Sequence, residues 1–109
     1  MLFEFPLRHL DELHNWIIDA NGHHCLDMSF DLRDDQIDLI LNVINKVEKF
    51  KNNELSFSYD KSSQSIVNHN RIPVIVVRGW GYLSSIYKND AAKLQDEFAK
   101  EIVDRLNTK

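Results

Sequence analysis

The sequence predicts an α+β fold, a mainly antiparallel sheet of about four strands packed by about three helices. Three observations predict it. The repeat of apolar residues changes along the chain, from helical spacing to strict alternation and back. The stretches that read as strands are short and bounded by turn residues. They also cluster, in the order β-α-β-α-β-β-β-α, instead of alternating one-for-one with helices as in a doubly wound parallel sheet. A chain of 109 residues with three glycines and two prolines fits one domain, residues 1–109, with little material for a linker.

Leu2 to Phe5 reads as a short edge strand ended by Pro6, which cannot donate a ladder hydrogen bond. From Leu7 to Ala20, apolar residues fall at Leu7, Leu10, Leu13, Trp16, Ile17 and Ala20, a stripe at helical spacing with Asn21-Gly22 as its stop. A helix is predicted there. Leu26, Met28, Phe30 and Leu32 alternate with Asp27, Ser29, Asp31 and Arg33, as in a half-buried strand. Ile37, Ile40, Leu41, Ile44, Val47 and Phe50 then return to helical spacing behind Asp34-Asp35, acids that favour a helix start. Ile37, Leu39, Leu41 and Val43 also alternate like a strand, but the periodic stretch is too long for one.

Leu55, Phe57 and Tyr59 alternate with serines and predict a strand, followed by a turn at Asp60–Ser63. Ser65–Val67 reads as a short return strand before the Asn68-His69-Asn70 turn. Ile72–Val77 is almost continuously apolar, as in a strand covered on both faces, with Pro73 tolerated at its start. Asn89 or Asp90 can cap a last helix with Leu94, Phe98, Ile102 and Leu106 on one stripe.

The charge is uneven. Met1–Asp38 holds nine acids against two arginines, whereas Leu39–Lys109 holds eleven basic and eight acidic residues. Binding to a phosphate backbone needs a concentrated basic surface, so nucleic acid is not the partner expected of the first third; a basic protein is. No apolar run is long enough to span a bilayer, and the N-terminus lacks a signal-peptide pattern. With Cys25 as the single cysteine, no internal disulfide is possible, and a soluble, cytoplasmic protein is expected.

Few residues are equipped for chemistry. His23, His24, Cys25 and Asp27 form the densest metal-capable set, but zinc needs three or four converging ligands, and neighbours on a strand point to opposite faces. No metal ligand, cofactor or catalytic residue is expected. A nucleophilic Cys25 beside His24 needs a lowered thiol pKa, and the nearby Asp19 and Asp27 act the other way. Asp31, Asp34, Asp35 and Asp38 lack the glycine and distal glutamate of a calcium loop. They read either as a solvated helix start or as an acidic contact surface. Arg78-Gly79-Trp80-Gly81-Tyr82-Leu83 holds two of the three glycines and three residue types common at binding hot spots. It serves either as a partner-binding loop, through Arg78, Trp80 and Tyr82, or as a bulged strand end that caps the core.

That segment, together with Ala92–Leu106, resembles a group of small uncharacterised bacterial and mobile-element proteins. They share a strand ending in R-G-W/Y-G-x-L and a closing helix with Q-D-E-F-A-x-x-I-V. The resemblance implies no known activity. From the residues, the leading expectation is a small protein-binding or inhibitory protein, such as an immunity protein that neutralises a basic, nuclease-like toxin domain by occlusion. An anti-defence inhibitor of phage or mobile-element origin is a variant of it. A small enzyme or metal-binding protein using His24 and Cys25, and a self-associating subunit using Ile72–Val77 as an edge, are the alternatives.

Overall fold

A computed structural model describes residues 3–10, 13–50 and 56–107. The elements run β1 (Arg8–Leu10), β2 (Leu13–Ile18), β3 (His24–Met28), α1 (Asp34–Ile44), β4 (Ser58–Asp60), β5 (Ser65–Val67), β6 (Pro73–Val77), α2 (Trp80–Tyr87) and α3 (Ala91–Leu106). Among the described residues the class is α+β, with three helices and one antiparallel sheet. That sheet has six strands, in the order β1-β2-β3-β6-β5-β4, rather than about four. No helix among the described residues is long and apolar enough to cross a membrane.

The extra strands come from the first quarter of the chain. The helix predicted over Leu7–Ala20 is instead the β1–β2 hairpin, in which His9 pairs with Ile17. A helical stripe would bury Trp16 and leave Ile18 outside. The sheet does the reverse, burying Ile17 and Ile18 while Trp16 stays 38% exposed. Leu2–Phe5 forms no strand among its described residues. Phe3 instead drives its ring into the core, 4.5 Å from Phe98 and 5.6 Å from Tyr82 between centroids. Asn45 ties the following segment down by accepting from Leu7 N and donating to Leu7 O, both at 2.8 Å.

Strand register explains which side chains are buried. Ile17, Leu26 and Val77 lie side by side on one face, and so do Met28, Ile75, Ile66 and Tyr59. All but Tyr59 are buried, and they merge with Ile37, Ile44, Leu83, Phe98 and Ile102 of the helices into one core. The opposite row runs Trp16, Asp27, Val76, Ser65 and Asp60, and forms the open face of a two-layer structure. β6 is therefore covered on one face only. Its apolar run has another cause: Val74 is an extra residue at a bulge against β5, which lets it join the core beside Ile75.

Other boundaries also shift. β3 stops at Met28, because Leu32 N bonds Ser29 O to form a turn that leaves Phe30 81% exposed. α1 ends at Ile44, so Val47 and Phe50 lie beyond it. Leu55, expected to open a strand, lies outside the described residues; β4 covers only Ser58–Asp60. β5, the start of β6 at Pro73 and the α3 stripe fall where the periodicity places them. Asp90 stands at the α3 N-cap, although its side chain makes no capping bond.

The aromatic-glycine segment is neither a loop nor a strand end. It opens α2, which starts at Trp80. Gly81 is a helical glycine around which an added methyl would meet nothing within 4 Å. Gly81→Ala removes a poor helix former without a clash and is expected to stabilise the fold by about 0.5–1 kcal/mol. A rise in the thermal midpoint checks this; a fall would show that α2 is not helical there.

Candidate functional site

The open face carries a polar cluster built by a bulge. Ile17 pairs with Leu26 and Ile18 with His24, so Cys25 is an extra residue in β3. The bulge returns His24 to the face that Asp27 occupies. There His24 Nε2 lies 2.5 Å from Asp27 Oδ1, and its ring stacks on Trp16 at 4.0 Å between centroids and 2° between planes. Arg78, two residues beyond Val76 on the neighbouring strand, donates from Nε to the other Asp27 oxygen at 3.0 Å. Asp27 thus holds a histidine and an arginine through separate oxygens. Among the described residues, the terminal guanidinium nitrogens of Arg78, which is mostly exposed, remain available for a planar acceptor.

A groove of about 220 Å³ runs from this cluster over the paired strands β3 and β6. Asp27, Val76 and Arg78 line one end of it, and Ser29, Phe30 and Pro73 the other. Ile72, next to Pro73, is 55% exposed, so the Phe30 end is an apolar knob.

The seven residues expected to bind a partner fall into separate groups. Asp31 directly follows Phe30 in the turn after β3, and Asp34 and Asp35 open α1, all three exposed. Asp35 bonds Arg33 at 3.1 Å, and that guanidinium holds its carboxyl below the usual carboxylate range. Asp38 lies one turn on, with an oxygen 3.8 Å from His9 Nδ1. Arg78 sits at the opposite end of the sheet, because β3 and β6 are antiparallel and each group follows the C-terminal end of its own strand. The separation is on the order of 15 Å at about 3.4 Å per residue. Trp80 is exposed beside Arg78, and its backbone N–H donates to the buried Gln95 Oε1 at 2.6 Å. Tyr82 turns inward, stacking on His23 at 3.8 Å and touching Phe3, so it caps the core.

Trp16 and Phe30 belong to this face, yet sequence patterning assigns both to a core. Only the polar phase of the Leu26–Leu32 alternation, which places Asp27 opposite the core, points to this face.

His23 and His24 go to opposite sides of the chain, one against Tyr82 and the other against Trp16. Among the described residues, no group of three His, Cys, Asp or Glu side chains could hold a metal ion. Cys25 is fully buried, with Sγ 3.6 Å from Ile17 O. Burial pushes its thiol well above the ordinary range, and Asp19 and Asp27 add to the effect. A buried, protonated thiol is a poor nucleophile.

Asp19 organises the approach to the site. Its carboxylate, 1% exposed, accepts from the backbone N–H groups of Glu4 at 3.1 Å, Asn21 at 3.0 Å and His23 at 2.8 Å. It therefore fixes the β2–β3 turn and the N-terminal segment together. Behind the sheet, Tyr59 donates to Asp96 at 2.9 Å, and burial together with that carboxylate pushes its pKa up to about 12.

No family model, curated protein or solved structure matches the chain.

Proposed function

We propose that the chain is a small protein-binding domain that engages a basic partner over its open sheet face. It would act as an immunity protein does, by covering a working surface of a nuclease-like toxin or a defence protein. One observation carries this reading. A groove runs from the exposed Phe30, beside Pro73, to an arginine held by Asp27 with the exposed Trp80 two residues on, and Asp31, Asp34 and Asp35 follow Phe30 in the chain. Tryptophan and arginine are the side chains that most often dominate interface energetics, and flanking acids steer a basic partner into register. A free, buried thiol at Cys25 fits a reducing, cytoplasmic setting and lends no support to an enzyme built on His24 and Cys25.

The test is capture from an extract of the source cells by the wild-type chain, Phe30→Asp and Arg78→Glu, each verified as folded by circular dichroism. The expected result is a basic protein that is retained by the wild type and lost by at least tenfold with either variant. Equal retention by all three, or none by any, overturns the assignment of this face.

A further inference from the structure

We propose that a cavity beside α1 binds a small, uncharged, apolar molecule that carries one carbonyl-type acceptor. His24, Asp27 and Arg78 take no part in it, and it does not rest on the reading of the open face. The cavity holds about 210 Å³. Leu39 and Ile40 of α1, Val74 of β6 and the rings of Phe50 and Phe57 supply most of its apolar lining. Gln36 and Asn68 line it as well.

Local irregularities of the chain build this space. Val74 is the bulge residue that β6 adds to the core. Phe57 is pinned through its backbone: its N–H donates to Asn107 Oδ1 at 2.8 Å, and its carbonyl accepts from Asn107 Nδ2 at 2.9 Å. Its ring is thereby held where Phe50 stacks on it at 5.6 Å between centroids. An apolar cavity of about 150 Å³ accommodates one benzene-sized ring, so this one has room for a ring with a short substituent.

The two amide side chains set the chemistry of the occupant. Gln36 Oε1 accepts from Arg33 N at 2.8 Å. Asn68 Oδ1 accepts from Asn70 N at 2.9 Å and from Ile72 N at 3.1 Å. Those bonds fix which end of each amide is the oxygen. Each NH₂ group is left as a donor, with no partner among the described residues. Donors in an otherwise apolar pocket orient a ligand through its acceptor. No lysine, arginine or histidine lines the cavity, so a carboxylate there would be desolvated without a counter-charge. The occupant that fits is neutral: a ketone, aldehyde, ester or amide of about ten non-hydrogen atoms.

Titration of the isotope-labelled full chain with acetophenone, followed by proton–nitrogen correlation spectra, tests this. The expected result is saturable shifts of the Gln36 and Asn68 side-chain amides and of the Val74 backbone amide, with a dissociation constant of about 1 mM. Toluene, which lacks the acceptor, and benzoate, which adds a charge, should each bind severalfold more weakly. Gln36→Glu and Asn68→Asp keep the oxygen that the backbone uses and remove the free donor, so both variants retain the fold. Each should weaken acetophenone about twofold to tenfold, the contribution of one hydrogen bond, and leave toluene unchanged. Absence of saturable shifts, shifts centred away from the cavity, toluene or benzoate bound as tightly as acetophenone, or acetophenone binding unchanged in both variants overturns the site. Capture of a basic partner through Phe30 and Arg78 is untouched by any of these results, so the two readings fail separately.

Discussion

Asp19→Ala is expected to destabilise the fold by about 3–5 kcal/mol, read as a loss of unfolding free energy in urea. The carboxylate satisfies three backbone donors from two stretches of chain, and alanine leaves all three without an acceptor. Each buried, orphaned donor costs about 1–3 kcal/mol, reduced where relaxation admits water. A loss below about 1 kcal/mol would show that water replaces the carboxylate and that the turn does not depend on it. The same residue contributes to the acid limit of stability. Burial pushes the Asp19 carboxyl up, but the N–H groups of His23, Glu4 and Asn21, with the charge of His23, outweigh it and leave its pKa below the ordinary value. A folded-state pKa below the unfolded value means that the stabilisation is complete above about pH 4 and is lost as pH falls through the folded value. Asp19→Asn should therefore flatten the acid side of the melting-temperature profile. The flattening is partial, because Asp35, bonded by Arg33, and Asp60, bonded by Ser62 and Ser63, are held low as well.

The elements legible in the sequence are those whose period has one reading. Ser65–Val67 and the α3 stripe are of this kind, because local spacing and burial agree. The β1–β2 hairpin is not. Leu7, Leu10, Leu13 and Trp16 satisfy helical spacing, and only the cross-strand partners of Ile17 and Trp16, Leu26 and Asp27, settle the matter. Tertiary pairing overrides a weak local preference.

The site is illegible for a related reason. Asp27 and Arg78 are 51 residues apart, and no short motif joins them. The bulge that turns His24 beside Asp27 has no local signature, since Cys25 reads as an ordinary strand residue. The acids Asp31, Asp34 and Asp35 are legible as a charged cluster because they fall within five consecutive positions of the chain. Their distance from Arg78 is a property of the antiparallel β3–β6 pairing.

Gly79 carries the second large effect, and its reason differs from the one its sequence context implies. Its φ of −73° is ordinary helical backbone, open to any residue. What excludes a side chain is space: an added methyl would lie 2.7 Å from two ring carbons of Phe3. That ring is 1% exposed and held between Phe98 and Tyr82, so it has no room to give way. Gly79→Ala is expected to cost about 1–3 kcal/mol, and Gly79→Val more, as overpacking does in a filled core. A double-mutant cycle isolates the cause. Phe3→Ala costs about 3–5 kcal/mol alone, and in that background Gly79→Ala should cost almost nothing, because the atoms it strikes are gone. Additive losses would mean that Gly79 is needed for backbone conformation instead. Arg78 N stays bonded to Cys25 O at 2.8 Å on the sheet side of this contact. The strain therefore falls on α2, and the open face of Gly79→Ala should keep its binding while its stability drops.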